Sequence, residues 1–272
     1  MISSDRPLRV PSIAVSTLPS TEELPCSDDI PVDNEDQNFL PNLLLFMLIV
    51  IRADRMDWYF GVDMAVYHTT GVSPRVPVVP DAFFSVGVER KKGGKSRRSY
   101  ATWEENNIVP TLVLEMVSHK PGGEYDAKVE IYRKLGVLYY IIYNPEFWKR
   151  DRHHPFEVYK LVDGAYQLQI GEPYWMPELE LGLGRTQSLV GGIQQEILCW
   201  FDETGTPYPT PDDLHRQSAT DRYQLRQEQR RAEDQQQRAE DQQQRAEDQQ
   251  QELLKVRNYL RSIGIDPDDL PT

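Results

Sequence analysis

A chain of 272 residues, 39% hydrophobic and 27% charged, is long enough to bury one substantial core, and its formal net charge of −13 excludes a surface that is basic throughout. The longest apolar run, Leu43 to Ile51, is far shorter than the roughly 20 residues a bilayer-spanning helix needs, so it reads as a buried core helix and no membrane partner is expected. The first 40 residues are rich in Pro, Ser and Asp rather than basic and then apolar, which leads us to expect a cytoplasmic protein.

Charge is unevenly spread. Residues 1–70 carry 4 basic and 11 acidic side chains and residues 161–272 carry 11 and 21, whereas residues 71–160 carry 15 and 11. The middle of the chain is therefore its one basic segment. Two cysteines, Cys26 and Cys199, form neither a disulfide framework nor a metal-ligand spacing.

In chain order, residues 1–36 lack apolar periodicity and read as a disordered or loosely attached leader. A helix is predicted around 37–52, then an aromatic, β-branched strand from Trp58 to Tyr67. Arg75 to Pro80 alternates Val and Pro, predicting an extended segment that ends at Asp81, and Ala82 to Val88 continues as a strand. The glycine-centred stretch from Arg90 to Arg98 holds six basic residues and is predicted to be a mobile loop; Lys91, Lys92, Arg97 and Arg98 are its candidate phosphate contacts. Thr111 to Val117 is nearly continuous in apolar residues, as in a strand buried on both faces. After Pro121-Gly122-Gly123 a helix is predicted over 124–135, stopped by Gly136, then a strand over 137–143. Phe156 to Ile170 reads as a hairpin turning at Asp163-Gly164.

Pro207, Pro209 and Pro211 close the core, giving boundaries at 37–206 for the main domain and 207–272 for the tail. In the tail Arg-Ala-Glu-Asp-Gln-Gln-Gln occurs three times, from Arg231, Arg238 and Arg245. A seven-residue period of helix formers predicts a long exposed helix or weak coiled coil, with a homodimer as one option. Its stripe runs Leu225, Ala232, Ala239, Ala246, Leu253, Leu260, but Gln occupies the partner positions 235, 242 and 249, so the seam is poor until Val256 and Ile263.

Three charged residues stand in apolar surroundings. Glu115 interrupts Leu112-Val113-Leu114 and Met116-Val117, where an unpaired ionised carboxylate would cost several kcal/mol to bury. On a wheel of about 100° per residue, Lys128 sits mid-face among Tyr125, Ile131, Tyr132 and Leu135. Asp81 follows Pro80 at the end of an extended segment. Two carboxylates at adjacent strand ends can hold a hard cation such as Mg²⁺, and a lysine beside them can orient a water. Crowded carboxylates also imply that Glu115→Gln would stabilise the metal-free fold. His153-His154 reads as a solvent-exposed pair, and Tyr139, Tyr140 and Tyr143 as core residues rather than stacking platforms.

These residues resemble the Uma-type putative restriction endonuclease family, a branch of the PD-(D/E)xK nuclease superfamily. The resemblance rests on Pro80-Asp81, Leu114-Glu115-Met116-Val117-Ser118, Asp126-x-Lys128-x-x-x-Tyr132, Gly136-Val137 and the aromatic strand leading to Asn144-Pro145, over about residues 35–205. Val117 stands where the wider superfamily has its lysine, which this branch supplies from the next helix, here Lys128. The resemblance implies an α/β, restriction-endonuclease-like core with a central mixed sheet flanked by helices, followed by the helical tail. It implies hydrolysis of DNA phosphodiesters, with Asp81, Glu115 and the Met116 carbonyl holding Mg²⁺ or Mn²⁺ and Lys128 positioning the attacking water. A nuclease acting on RNA or branched DNA, and a catalytically silent interaction protein working through its tail, are the rival readings.

Overall fold

The computed structural model describes residues 18–26, 34–120 and 122–264. The described residues fall into two compact units that divide between Asp212 and Asp213. No helix among them is long and apolar enough to cross a membrane.

The first unit is built on a six-stranded mixed sheet. Its strands are β1 (Trp58–Val62), β3 (Ala82–Val86), β5 (Leu112–Met116), β6 (Tyr139–Tyr143), β7 (Phe156–Val162) and β8 (Ala165–Leu168), in the spatial order β1-β3-β5-β6-β7-β8. Only β5 and β6 run parallel; every other neighbouring pair is antiparallel. The parallel pair is joined by helix α2 (Ala127–Leu135), the crossover that a parallel connection requires. Gly136 ends that helix at φ 89°, a left-handed stop that suits glycine. Asp163 (φ 49°) and Gly164 (φ 80°) turn the β7–β8 hairpin in the conformation a two-residue turn demands.

Both faces of this sheet are covered, which is why its central strands read as nearly continuous apolar runs, broken in β5 only by Glu115. Leu112, Leu114 and Met116 point one way with Tyr139, Ile141 and Tyr143. They pack on helix α1 (Glu35–Ile51) and on a second, antiparallel sheet of β9 (Tyr174–Met176), β10 (Leu181–Val190) and β11 (Ile193–Phe201). The Trp200 indole N–H donates to the Leu44 carbonyl at 3.0 Å, pinning that sheet to α1. Val113, Tyr140 and Ile142 point the other way, onto Tyr132 and Leu135 of α2. Strands alternate faces with a period of two, so Glu115 lies on the α2 face.

The aromatic stretch from Trp58 to Tyr67 divides into β1 and the short β2 (Val66–Tyr67), because Asp63 takes a left-handed turn at φ 47°. β2 pairs in parallel with β4 (Tyr100–Ala101) rather than continuing in the main sheet. Part of the leader differs from its expected detachment. Leu18 and Leu24 pack with Tyr67, Ala101 and Trp103, Trp103 donates to the Pro19 carbonyl (3.0 Å) and Tyr67 to that of Pro25 (2.7 Å). Two apolar side chains and two prolyl carbonyls are enough to dock it. Residues 1–17 and 27–33, Pro121 and residues 265–272 lie outside the described residues. A short helix, α3 (Trp148–Asp151), lies between β6 and β7, and the second unit holds most of helix α4 (Pro211–Ser262), whose described side chains are almost all exposed.

Candidate active site

The sheet register brings the first two candidates together. Ala82 pairs with Leu114 across the antiparallel β3–β5 ladder, which sets Asp81 and Glu115 at the same end of the sheet. Asp81 Oδ2 accepts from the Met116 backbone N–H at 2.6 Å, so its carboxylate is tied to the residue that follows Glu115. The third candidate arrives from α2: Lys128 Nζ donates to Glu115 Oε2 at 2.8 Å. One turn further along, Tyr132 donates its hydroxyl to Glu115 Oε1 at 2.5 Å. Glu115 is wholly buried, and α2 faces it with the two groups that make its charge tolerable.

The electrostatics follow from burial and from a surplus of negative charge. Burial, then the charge of Glu115, pushes the Asp81 carboxyl well above the usual carboxylate range. Burial raises Glu115 as well, opposed by the Lys128 ammonium and the Tyr132 hydroxyl. Burial works against the charge on Lys128, yet Glu115 and then Asp81 hold its pKa above the ordinary lysine value. Lys128 is therefore an ammonium at neutral pH. Tyr132 is driven well above an ordinary phenol by burial and by the Glu115 charge, so it acts as a fixed hydrogen-bond donor.

Sequence reasoning singled out Asp81, Glu115 and Lys128, and the structure brings them together: Lys128 bonds Glu115, and Asp81 bonds the backbone of the next residue, Met116. It adds three residues. Tyr132 registered only as part of an apolar face, because nothing in a sequence says where a phenol points. Gln37, in the first turn of α1, donates to the Met116 carbonyl at 3.2 Å across the other face of the sheet. Glu124 is buried, and its carboxylate accepts from the Gly122 N–H at 3.0 and 2.9 Å. A cavity of about 190 Å³ lies beside Met116 and Val117, with Glu35, Asp36, Gln37 and Glu146 in its wall. Neither Asp81 nor Glu115 lines it.

The donor set suits a hard divalent cation. All the donors are oxygen, two carboxylates face a single ammonium, and the Met116 carbonyl keeps a second lone pair beyond its bond to Gln37. Among the described residues no three or more His, Cys, Asp or Glu gather around one point. A cation here would thus be held by few protein groups and complete its shell with water, the habit of Mg²⁺.

A family profile described as "putative restriction endonuclease", Uma2, matches residues 30–190, more than half of the chain. The chain belongs to the Uma2 family. A crystal structure of a putative nuclease belonging to DUF820 from Anabaena variabilis is similar at 14% identity and a TM-score of 0.38, over 61% of this Uma2 chain and 89% of that protein. No curated protein matches it.

Within the basic loop, Arg97 requires correction. Arg97, expected at a phosphate, has a 1% exposed side chain that pairs with Glu105 at 2.9 Å and lies 4.4 Å from the Tyr59 ring centre. Lys92 pairs with Glu104 and, at 3.7 Å, with Glu105. Arg98 bonds Glu22 of the leader at 3.1 Å and Lys91 bonds Ser96 at 3.1 Å, both exposed. Carboxylates answer Lys92, Arg97 and Arg98, the last from the leader, while the Lys91 partner is the Ser96 hydroxyl. Arg97 lies towards the opposite end of β3 from Asp81. Tyr59 lies opposite Ser85, four residues along from Asp81, which is roughly 13 Å at about 3.3 Å per residue.

His153 is likewise not a free surface residue. It stacks on Tyr125 with centroids 3.7 Å apart and hydrogen-bonds Glu157 at 3.2 Å, while His154 is exposed. Tyr139, Tyr140 and Tyr143 are core residues, each 2% exposed or less.

Proposed function

We propose that this Uma2 chain is a metal-dependent endonuclease that hydrolyses DNA phosphodiesters at Asp81, Glu115 and Lys128. The observation that carries the reading is the convergence of those side chains, from the residue before β3, from β5 and from α2, around the buried Glu115, with Lys128 Nζ 2.8 Å from Glu115 Oε2. Asp81, Glu115 and the Met116 carbonyl would hold Mg²⁺ or Mn²⁺. Bound there, the cation supplies charge neutralisation for the phosphate and lowers the pKa of a water.

The protein's own residues divide the remaining work. Lys128 is protonated at neutral pH, so it donates hydrogen bonds to the attacking water or to a phosphate oxygen and does not take up the proton. Glu115, fixed by Tyr132, anchors Lys128 and offers the accepting oxygen beside that water. Asp81, held by the Met116 N–H, keeps its second oxygen for the cation. Preorganised charges of this kind stabilise a transition state because they need no rearrangement when the reaction occurs.

The test is calorimetric titration with Mg²⁺ or Mn²⁺ beside a nicking assay on plasmid DNA, with RNA and branched DNA as alternative substrates. Asp81→Asn should lose both cation binding and cleavage. Lys128→Ala should keep cation binding and lose cleavage. Wild-type protein that binds no divalent cation at millimolar concentration would remove the reading in favour of a silent interaction protein.

A further inference from the structure

Near the end of α4 lies an apolar surface with no covering among the described residues of the second unit. Leu253, Leu254, Val256, Tyr259 and Ile263 are each more than half exposed near the end of α4. With Ala232, Ala239 and Ala246 as heptad position a, Leu253 and Leu260 are also a, and Val256 and Ile263 are d. Apolar residues at alternating three- and four-residue steps form a seam that only another helix can bury.

We propose that α4 pairs, parallel and in register, with α4 of a second copy of this chain, through Leu253, Val256, Leu260 and Ile263. Charge complementarity selects the partner and its direction. In a parallel pair, position g of one helix meets position e of the next heptad in the other, which places Glu252 against Arg257 on both sides of the seam. An antiparallel pair centred on the same four apolar residues sets Arg257 against its own copy.

The tandem repeat cannot fix the register, since identical heptads pair equally well after a seven-residue slip. The apolar end does fix it. A slip would lay Leu253 and Val256 of one helix against Ala246 and Gln249 of the other, and carry the other's Leu260 and Ile263 past the apolar residues of the first. The polar face is already committed elsewhere. Gln236, Gln237, Gln243 and Gln244 donate to Glu240, Asp241, Glu247 and Asp248 at 2.8 to 3.1 Å. These i to i+4 bonds join e to b and f to c, stabilising the helix along its outer side and leaving the a/d seam clear.

Sedimentation equilibrium on the full chain tests the pairing. The expected result is a reversible dimer at micromolar concentration, with Leu260→Asp weakening association by about a hundredfold or more, because a charge would be buried in the seam. Glu252→Arg should weaken it several-fold, and Glu252→Arg with Arg257→Glu should restore it. Direction is read from Gln249→Cys in a Cys26→Ser background, since Cys26 is the exposed native thiol. In the parallel, in-register pair the two new thiols face each other at position d and oxidise to a disulfide-linked dimer. A full chain that stays monomeric at about 100 µM, a dimer indifferent to Leu260→Asp, or a Gln249→Cys dimer that does not cross-link would each overturn the proposal. Far-UV circular dichroism confirms that each variant keeps its helix.

Discussion

The Tyr132 hydroxyl lies 2.5 Å from Glu115 Oε1, on the opposite carboxylate oxygen from the one that Lys128 holds. Lys128 and Tyr132 are four apart on α2, so one helical face delivers a cation and a neutral donor to the two oxygens of a single buried carboxylate. This explains how a glutamate can sit in the middle of a strand covered on both faces. It also makes Tyr132 a positioning residue for Glu115.

Tyr132→Phe keeps the ring and removes the donor. Glu115 Oε1 then loses its partner in a dry site, and the expected cost is about 1–3 kcal/mol of stability at neutral pH. Glu115 should become easier to protonate, so the deficit should shrink as pH falls towards 5. Urea denaturation across that range measures it, and a deficit unchanged with pH would mean that the hydroxyl supports packing and not the carboxylate.

Stability of the metal-free protein should fall as pH rises above the ordinary carboxylate range. The folded value of Asp81 lies well above its ordinary 3.8. Between that ordinary value and the raised folded one, the folded chain binds more protons than the unfolded chain, and stability declines with pH. Lys128 acts outside this window: its raised value gives stability that is present below 10.5 and lost above it. Denaturant midpoints in EDTA should therefore drop from pH 5 to pH 8. Asp81→Asn, whose amide oxygen can still accept from Met116 N–H, should flatten the drop; a slope identical to wild type would show that Asp81 does not titrate there.

The parts of this site that were legible in sequence are those whose discomfort is local. Glu115 among Leu114 and Met116, and Lys128 among Ile131 and Tyr132, violate the period of their own elements, and each violation points to a partner. Asp81 was readable because Pro80 marks where the extended segment stops. Gln37 was not, since a glutamine in the first turn of a helix violates nothing and its acceptor lies 79 residues away. The sheet of β9, β10 and β11 was missed for a related reason: Leu181, Gly182, Leu183 and Gly184 offer only two large side chains to mark a buried face, and Gly184 is required because a Cβ there would come within 2.8 Å of Pro173. In the basic loop, sequence density was misleading. Arg97 looks free until the fold brings Glu105 to it.

Arg97→Ala should behave as a core lesion. Both partners are nearly dry, with side chains 1% and 6% exposed, and removing one member of a buried ion pair costs about 3–5 kcal/mol. Lys91→Ala, at an exposed contact with Ser96, should change stability by less than about 0.5 kcal/mol. Thermal melts of the two variants compare them directly. Equal midpoints would return Arg97 to the surface and reopen the loop as a phosphate contact.

The contacts to Glu115 weigh against the gain expected of Glu115→Gln. Repulsion from Asp81 argues for relief on neutralising Glu115, but Lys128 and Tyr132 both donate to that carboxylate, and an amide can satisfy at most one of them while presenting N–H to the other. Lys128 would lose the carboxylate it bonds directly and keep only the more distant charge of Asp81 and Glu124. A fully buried pair would lose about 3–5 kcal/mol on such a change; the Lys128 side chain is 24% exposed, and solvent screening reduces the expected loss to about 1–3 kcal/mol. Adding Lys128→Met should recover much of it, because an unbranched apolar side chain replaces the stranded ammonium. Chemical denaturation in EDTA of the single and double variants closes the cycle. If Glu115→Gln alone were more stable than wild type, crowding with Asp81 would outweigh the Lys128 and Tyr132 contacts, and α2 would not be the element that holds the buried charge in place.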